Sequence, residues 1–548
     1  MAVNVSINGC AATALEGESL FDLAERVNVR VPTSCRKLGK CKECIVEVLA
    51  GMQSLSAPTP FERHLNGAFR LSCQSQMLGN DGDVRCHTMR RGQMRIERHS
   101  LGLPLGNAAI PRDPSVTRKG DRILLDGVEI DRSTGPIHGL AMDLGTTTIV
   151  LRLIDLENGE LVADASFENP QRFGGSDVMS RIQYDCDHPG KLLRRTLAGY
   201  LSHAIADFPV DPLSIYEMVV AGNSTMRDLF FRQSVYSIGQ NPYQSITEIE
   251  MAEGRRESTS LTATARRSLL PIHPKARVYG LPIVSGHVGA DAAACMLAVD
   301  LAQEDRLIAI MDIGTNTELI LGNRHRILAA SCPAGPAFEG GAISSGMPAL
   351  DGAIEDVEIG PEGAIHTRVI GDAPVDGICG SGLVALLGEL LRTGQMNAMG
   401  RFTDDLGSSI ALDATRGVFF NESDVNELAQ AKGANVAGLH VVFSNYGLEF
   451  GDVETFYLAG GFGRHLNVEA AQRIGLVPNL PASRIVQVGN ASIEGASIAL
   501  LSMAKRRELE KLVKRVEHCR LETHPDFFDF FVEGCQFKPA ESAFRVAR

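Results

Sequence analysis

The pattern of apolar and polar residues changes character several times along the chain. Val3-Asn4-Val5-Ser6-Ile7 alternates with a period of two and predicts a half-buried strand, and Asn8-Gly9 predicts a tight hairpin turn after it. From Ser19 the period lengthens: a cap-type serine precedes Leu20, Leu23 and Ala24 at helical spacing, which predicts a helix reaching Val27. Cys44 to Leu49 predicts another strand, ended by Gly51. From Arg95 to Pro136 the periodicity fades among scattered Pro, Gly and Arg, so the chain reads there as a linker with one small hairpin at Leu124-Leu125-Asp126-Gly127. The long remainder alternates strand and helix patterns, the mark of an α/β architecture. Near its end, Lys505 to Arg520 has helical spacing at Leu509, Leu512 and Val516, and Phe527-Phe528-Asp529-Phe530-Phe531 follows. That tail predicts a C-terminal helix and an apolar plug capping the second half of the chain, in preference to a membrane-surface helix.

The α/β remainder reads as duplicated. Gly139-Leu140-Ala141-Met142-Asp143-Leu144-Gly145-Thr146-Thr147-Thr148 opens one half, and Ile308-Ala309-Ile310-Met311-Asp312-Ile313-Gly314-Thr315-Asn316-Thr317 opens the other; a new apolar strand follows each. A looser second pair, Gly286 to Ala294 and Gly489 to Ser497, places a Gly-rich turn before a helix of small residues near the end of each half. Two motif pairs in the same order predict two similar lobes.

Composition narrows the field. The 548 residues are 44% hydrophobic and 22% charged, which is ordinary globular usage spread over several domains. A net charge of −13 argues against a general nucleic-acid-binding surface. The longest apolar tract, 280–302, is broken by His287, Asp291 and Asp300, so no membrane span is expected. Half of the twelve cysteines fall before residue 87, and the N-terminus shows no secretory pattern, so a reducing, cytoplasmic setting is expected.

Cys35-x5-Cys41-x2-Cys44, with Cys73 far downstream, supplies four soft ligands. Structural zinc sites usually bring two close cysteine pairs. Three ligands in one loop and a fourth arriving alone lie nearer to a [2Fe–2S] site of the C-x4-C-x2-C…C kind; zinc and free thiols are the alternatives. Gly39 and the cations Arg36, Lys37, Lys40 and Lys42 in the same loop suit an electron-rich cluster. Cys10 and Cys86 read as small buried hydrophobes.

An Asp-x-Gly-Thr turn after an apolar strand can grip phosphate oxygens with N–H and hydroxyl groups while the aspartate holds magnesium, directly or through water. The candidates are Asp143 with Gly145, Thr146 and Thr147, and Asp312 with Gly314, Thr315 and Asn316. A lone turn of this kind reads equally well as an ordinary hairpin; two at matching places suggest a cleft clamping one nucleotide. No P-loop or G-x-G-x-x-G fingerprint is present. Tyr457-Leu458-Ala459-Gly460-Gly461-Phe462-Gly463 runs a strand into a glycine cluster suited to close approach by a nucleoside, with Gly460, Gly461 and Gly463 as contacts; the alternative is a turn needed only for packing. The loops 335–341 and 377–382 are placed beside the same cleft. Glu318, Glu339 and Asp376 are weighed as holders of water and read first as surface or supporting carboxylates.

Together these motifs resemble the reductive activators of corrinoid proteins. The resemblance runs through Cys35/Cys41/Cys44/Cys73, the turns at Asp143 and Asp312, Asn169-Pro170-Gln171, Ala221 to Met226, Ser285 to Asp291, Ala334 to Glu339, Gly380-Ser381-Gly382, Leu428 to Gly433 and Leu458 to Gly463. It implies a β-grasp ferredoxin-like domain with a [2Fe–2S] cluster (1–95), a linker (96–136), and an actin, heat-shock protein 70 and sugar kinase type ATPase of two lobes (137–306 and 307–548). It implies ATP and Mg2+ as cofactors and ATP-dependent reduction of inactive Co(II) to Co(I) in a corrinoid methyl-carrier protein of a methyltransferase system. In that reaction Cys35, Cys41, Cys44 and Cys73 hold the cluster, Asp143 and Asp312 act at Mg-phosphate, and an external reductase or ferredoxin supplies electrons. Neither nucleic acid nor membrane is expected as a partner, and a homodimer is left open. A redox-regulated small-molecule kinase is the competing reading, since two lobes alone do not exclude it.

Overall fold

A computed structural model describes residues 3–79, 82–89, 110–461 and 465–541. The N-terminal unit is a five-stranded sheet in the order Cys10–Ala14, Val3–Ile7, Val84–Thr88, Ile45–Ala50, Phe69–Leu71, with Val3–Ile7 and Val84–Thr88 parallel at its centre. The hairpin turn falls at Asn8-Gly9, both at positive φ. The helix runs Leu20–Arg26, and the Ser19 hydroxyl caps it by accepting from the Asp22 N–H at 3.1 Å.

Residues 116–132, inside the stretch expected to be a linker, form a three-stranded antiparallel sheet: Val116–Lys119, Arg122–Leu125 and Val128–Arg132. The expected hairpin is its second turn, at Asp126-Gly127. Val116, Ile123 and Ile130 are buried and join the core of the following lobe. The strands are short and crowded with charge, so their few apolar positions carry no visible period in the sequence. Residues 90–109, which include the rest of the expected linker and the boundary at 95, lie outside the described residues.

The duplication is present strand for strand. One sheet orders Leu161–Glu168, Thr148–Asp155, His138–Leu144, Ile215–Gly222 and Arg277–Gly280, with Leu261–Thr264 at the edge. The other orders Ile327–Cys332, Thr317–Gly322, Ile308–Asp312, Thr455–Ala459 and Ile485–Gly489. In both, the motif strand pairs antiparallel with its successor and parallel with the strand on its other side. In both, the last of the five leads to a helix of small residues, Ala290–Ala298 or Ala491–Leu501. These two helices pack on each other at backbone distance: a Cβ on Gly495 would lie 2.0 Å from the Ala294 carbonyl oxygen. One apolar core surrounds the crossing and takes in Ala141, Val219 and Ala221 from the first sheet and Ile308, Ile310 and Ala459 from the second.

The tail departs from its expected form. Its helix is Met503–Leu512, and Val516–His518 becomes an edge strand beside Ile327–Cys332. That helix lies against the first lobe rather than the second: Arg506 pairs with buried Glu217 at 2.9 Å, the Tyr279 hydroxyl donates to Glu510 at 2.6 Å, and Lys505 pairs with Asp300 at 2.6 Å. The edge strand and the plug, helix Phe527–Gly534, pack on the second lobe, the plug against the long helix Glu422–Tyr446. Among the described residues no helix is long and apolar enough to cross a membrane.

Glycine to alanine inside a helix normally gains about 1 kcal/mol. Gly495→Ala should reverse that sign and cost about 2 kcal/mol in urea unfolding, because the new methyl meets backbone that has no room to give.

Candidate functional site

Two centres emerge, a cysteine loop and a cleft between the lobes. The loop turns four times through the left-handed region, at Arg36 (φ 52), Lys37 (φ 66), Gly39 (φ 68) and Lys42 (φ 67). Such turns aim successive N–H groups inward as an anion-binding nest. The N–H groups of Cys41, Lys40 and Leu38 reach the Cys35 sulfur, those of Ser34 and Glu43 reach Cys41, and that of Gly39 reaches Cys73. Cys44 Sγ lies 3.3 Å from Cys73 Sγ. Burial raises the Cys35 thiol, but the N–H bonds outweigh it and hold the group below its ordinary value. Bonding from Cys44, with Gln74 and Gly39, pulls Cys73 down to about 6. Four thiols, a nest of donors and nearby cations fit an electron-rich iron–sulfur group. Cys86 is buried as expected, whereas Cys10 opens an edge strand and is exposed.

The loop is seated on the first lobe. The Thr196 hydroxyl donates to the Lys42 carbonyl at 3.4 Å. Gly199 leaves room for Glu43: a Cβ there would lie 2.9 Å from the Glu43 Cγ. The Tyr184 hydroxyl donates to the His64 carbonyl at 2.8 Å, Arg172 pairs with Glu47 at 3.3 Å, and the His64 ring meets the edge of Phe173.

The cleft, with about 1040 Å³ of open space, gathers Asp143, Gly145, Thr146, Thr147, Asp312, Gly314, Thr315, Asn316, Gly460 and Gly461 on its walls. Gly463 lies outside the described residues. Gly145 turns so tightly that a Cβ would sit 2.6 Å from the Thr148 carbonyl, and Gly460, at φ 113, presses on the Ile313 carbonyl. The turns meet across the lobes: Thr147 Oγ1 and Thr315 Oγ1 are 2.8 Å apart. Both hydroxyls donate to Glu339, Thr147 at 3.0 Å. Asn223 Nδ2 donates to Thr146 Oγ1 at 2.8 Å, and the Asn169 amide donates to the Gly145 carbonyl at 2.8 Å.

Several wall residues carried no assigned role in the sequence. Asn490 and Ser492, at the start of helix Ala491–Leu501, donate to the two oxygens of Asp143 at 2.8 and 2.9 Å. The Cys295 thiol donates to Asp312 at 3.2 Å. Asp291 and Glu318 also line the cleft, whereas Asp376 is not among its walls. Asp291 and Asn490 were visible as parts of repeated motifs, but which lobe each would face was not. Burial pushes Asp291 and Asp312 up to about 7, aided by the charge of Asp143 in both cases. Burial also raises Asp143, Glu318 and Glu339. Carboxylates crowded to this degree favour a cation over a bare anion as neighbour. Cys332 and Cys379 are buried thiols.

Fold and site define a ferredoxin-type domain joined to a two-lobed nucleotide-binding body of the actin, heat-shock protein 70 and sugar kinase class. Residues 4–78 match the 2Fe-2S iron-sulfur cluster binding domain, 138–304 the RACo middle region and 306–546 the C-terminal domain of RACo, the ASKHA domain. The chain is 28% identical to the corrinoid activation enzyme RamQ of Eubacterium limosum, over 95% of this chain and 96% of that one. It is 25% identical to the [Co(II) methylated amine-specific corrinoid protein] reductase of Methanosarcina barkeri, over 72% and 76%. Among solved structures, a reductive activator for corrinoid, iron-sulfur protein superposes with a TM-score of 0.72 at 25% identity, covering 98% of this chain and 99% of that one. The chain belongs to the reductive activators of corrinoid proteins.

Asp291 has an ordinary value of 3.8 and a folded value of about 7. Its favourable contribution is therefore complete below about 3.8 and lost as pH rises through about 7. In protein free of nucleotide and magnesium, Asp291→Asn should gain stability relative to the parent between pH 5 and 8, read as the difference in urea midpoint. A difference that does not change with pH contradicts this account.

Proposed function

We propose that the protein re-reduces the Co(II) form of a corrinoid methyl-carrier protein to Co(I) at the expense of ATP. The observation that carries this reading is the seating of the cysteine loop, through Glu43 on Gly199 and Lys42 on Thr196, upon the lobe that bears one phosphate turn. Electron carriage and nucleotide chemistry thereby share one rigid unit. The chain divides into an electron-carrying unit (1–95), a connecting segment (96–136) and two lobes (137–306 and 307–548), the second lending helix Met503–Leu512 to the first.

Cys35, Cys41, Cys44 and Cys73 hold a [2Fe–2S] group that supplies one electron. A deficit of 100 mV costs about 2.3 kcal/mol for one electron, so a gap of a few hundred millivolts leaves almost no Co(I) without coupling. Thr146, Thr147, Thr315 and Asn316, with the N–H groups of Gly145 and Gly314, grip phosphate oxygens from opposite lobes. Asp143 and Asp312 would hold a magnesium ion, directly or through water, and that ion would supply neutralisation of phosphate charge. Asn490 and Ser492 donate to both oxygens of Asp143, opposing in part the rise that burial imposes, and keep it aimed at the cleft. Glu339 holds the hydroxyls of Thr147 and Thr315 in register. Gly460 and Gly461 leave backbone room for the nucleoside, and the sequence motif offers Gly463 as a third contact. Nucleotide gripped from both sides favours the closed lobes; hydrolysis releases them, and the corrinoid partner with them.

The test is anaerobic. With a Co(II) corrinoid protein and a chemical reductant, the Co(I) absorption band should grow only when Mg-ATP is present, and Asp312→Asn should slow it on the order of 100-fold. Cys44→Ala should abolish both the iron–sulfur absorption and Co(I) formation. Equal Co(I) without ATP would falsify the coupling, and ATP hydrolysis stimulated by a small metabolite but not by corrinoid protein would select the kinase reading.

A further inference from the structure

One part of the cysteine loop is closed off by the first lobe and another is open. The closed part is the backbone at Lys42 and Glu43, held by Thr196 and Gly199. Cys41 and Cys44 are buried, while Cys35 and Cys73 are only half-buried. On the open part Leu38 and Phe61 are 57% and 41% exposed, although both are large and apolar. They form one patch: Gly39, next to Leu38, lies so close to the Phe61 ring that a Cβ there would be 3.1 Å from the Phe61 Cγ. The Lys42 ammonium stands 5.3 Å from the Phe61 ring centre and donates to the Phe61 carbonyl.

A ring of positive charge surrounds this patch. The run Arg30 to Lys42 contains five cations and no carboxylate, in a chain whose net charge is −13. Neighbouring carboxylates are already engaged elsewhere. Asp22 and Glu25 both hold Lys37 at 2.6 Å, Asp207 holds Arg30, and Glu62 is buried against Arg70 at 2.8 Å. Arg36, Lys40 and Arg63 are exposed and make no ion pair with any described residue. The open face of the loop therefore combines two apolar contacts with a rim of uncompensated cations.

We propose that this face, Leu38 and Phe61 inside the ring of Arg36, Lys40, Lys42 and Arg63, is the port at which a small acidic electron carrier docks and charges the protein. The assignment rests on the activator reading only for where the electron goes next. A patch this small gives too little apolar area for a lasting complex, and a charged rim speeds encounter and orients it; both suit a carrier that must arrive, transfer and leave. The step moves no atoms. One electron leaves the reduced flavin or iron–sulfur centre of the carrier, which is oxidised, and one of the two Fe(III) ions of the [2Fe–2S] group that the four cysteines would hold becomes Fe(II).

The probe is a reduced acidic flavodoxin mixed anaerobically with the holoprotein, without corrinoid or ATP, so the outcome does not depend on cobalt chemistry. Transfer is followed as loss of iron–sulfur absorption, and binding of oxidised flavodoxin is measured separately by calorimetry. Lys40→Glu and Arg63→Glu, the second outside the ligand loop, should each weaken binding and slow transfer about 10-fold at low salt. Both should flatten the ionic-strength dependence, and Arg63→Glu should leave the absorption spectrum unchanged. Flavodoxin binding and transfer that keep their parental values and salt dependence in both variants overturn the proposal. So does an unchanged flavodoxin reaction accompanied by lost affinity for the corrinoid protein, which assigns the face to the electron acceptor instead.

Discussion

The structure depends above all on the contact between helices Ala290–Ala298 and Ala491–Leu501. At Gly495 the second helix approaches the Ala294 carbonyl more closely than any side chain permits, and the surrounding alanines let the approach extend along both helices. Close crossing of this kind forfeits large side chains but gains dense backbone packing, and the apolar core around it draws on both sheets. The same helices begin in the cleft. Asp291 opens one, and Asn490 and Ser492 open the other and hold Asp143 on the opposite lobe. The element that joins the lobes is thus the element that positions the acidic groups, so a change of lobe angle cannot leave the site geometry untouched.

The cleft carries an electrostatic load that packing alone does not relieve. Asp143, Asp291, Asp312, Glu318 and Glu339 all resist ionisation because burial strips water from them, and neighbouring carboxylates raise Asp291, Asp312 and Glu318 further. Among the described residues no arginine or lysine stands in the cleft walls. Buried Arg181 contributes only a favourable field at Glu339. The protein supplies hydroxyl, amide and thiol donors in place of cations, each able to stabilise a carboxylate without pairing it permanently. Such a donor set leaves the balance of charge to be completed by what binds, which is how a site comes to favour a metal–phosphate complex over either component alone.

Much of this was legible in the chain because it is local. The cysteine spacing, the two Asp-x-Gly-Thr turns and the Asn8-Gly9 hairpin are each written within ten residues or so, apart from Cys73, and the order of repeated motifs revealed the duplication. What escaped notice is long-range. Helix Met503–Leu512 has an apolar stripe that says only that it packs, while its true partner, the first lobe, is chosen by Arg506 finding Glu217. The 116–132 sheet is too short and too charged to show a period. The bond from Ser492 to Asp143 spans most of the two lobes in sequence and became visible only when the helix crossing brought its ends together.

The seat of the cysteine loop adds a mechanical constraint. Asn169 bonds the Gly145 carbonyl with its side chain and the Thr147 carbonyl with its N–H at 2.7 Å, then caps the short 3-10 helix Pro170–Gly174. From that helix Arg172 reaches Glu47 and Phe173 meets His64, both in the N-terminal unit. The Asp143 turn and the N-terminal unit are therefore two or three rigid contacts apart, with few rotatable side chains between them. Tight packing transmits displacement rather than absorbing it. Closure of the lobes on nucleotide would carry the N-terminal unit along as one body with the first lobe, shifting it relative to the second.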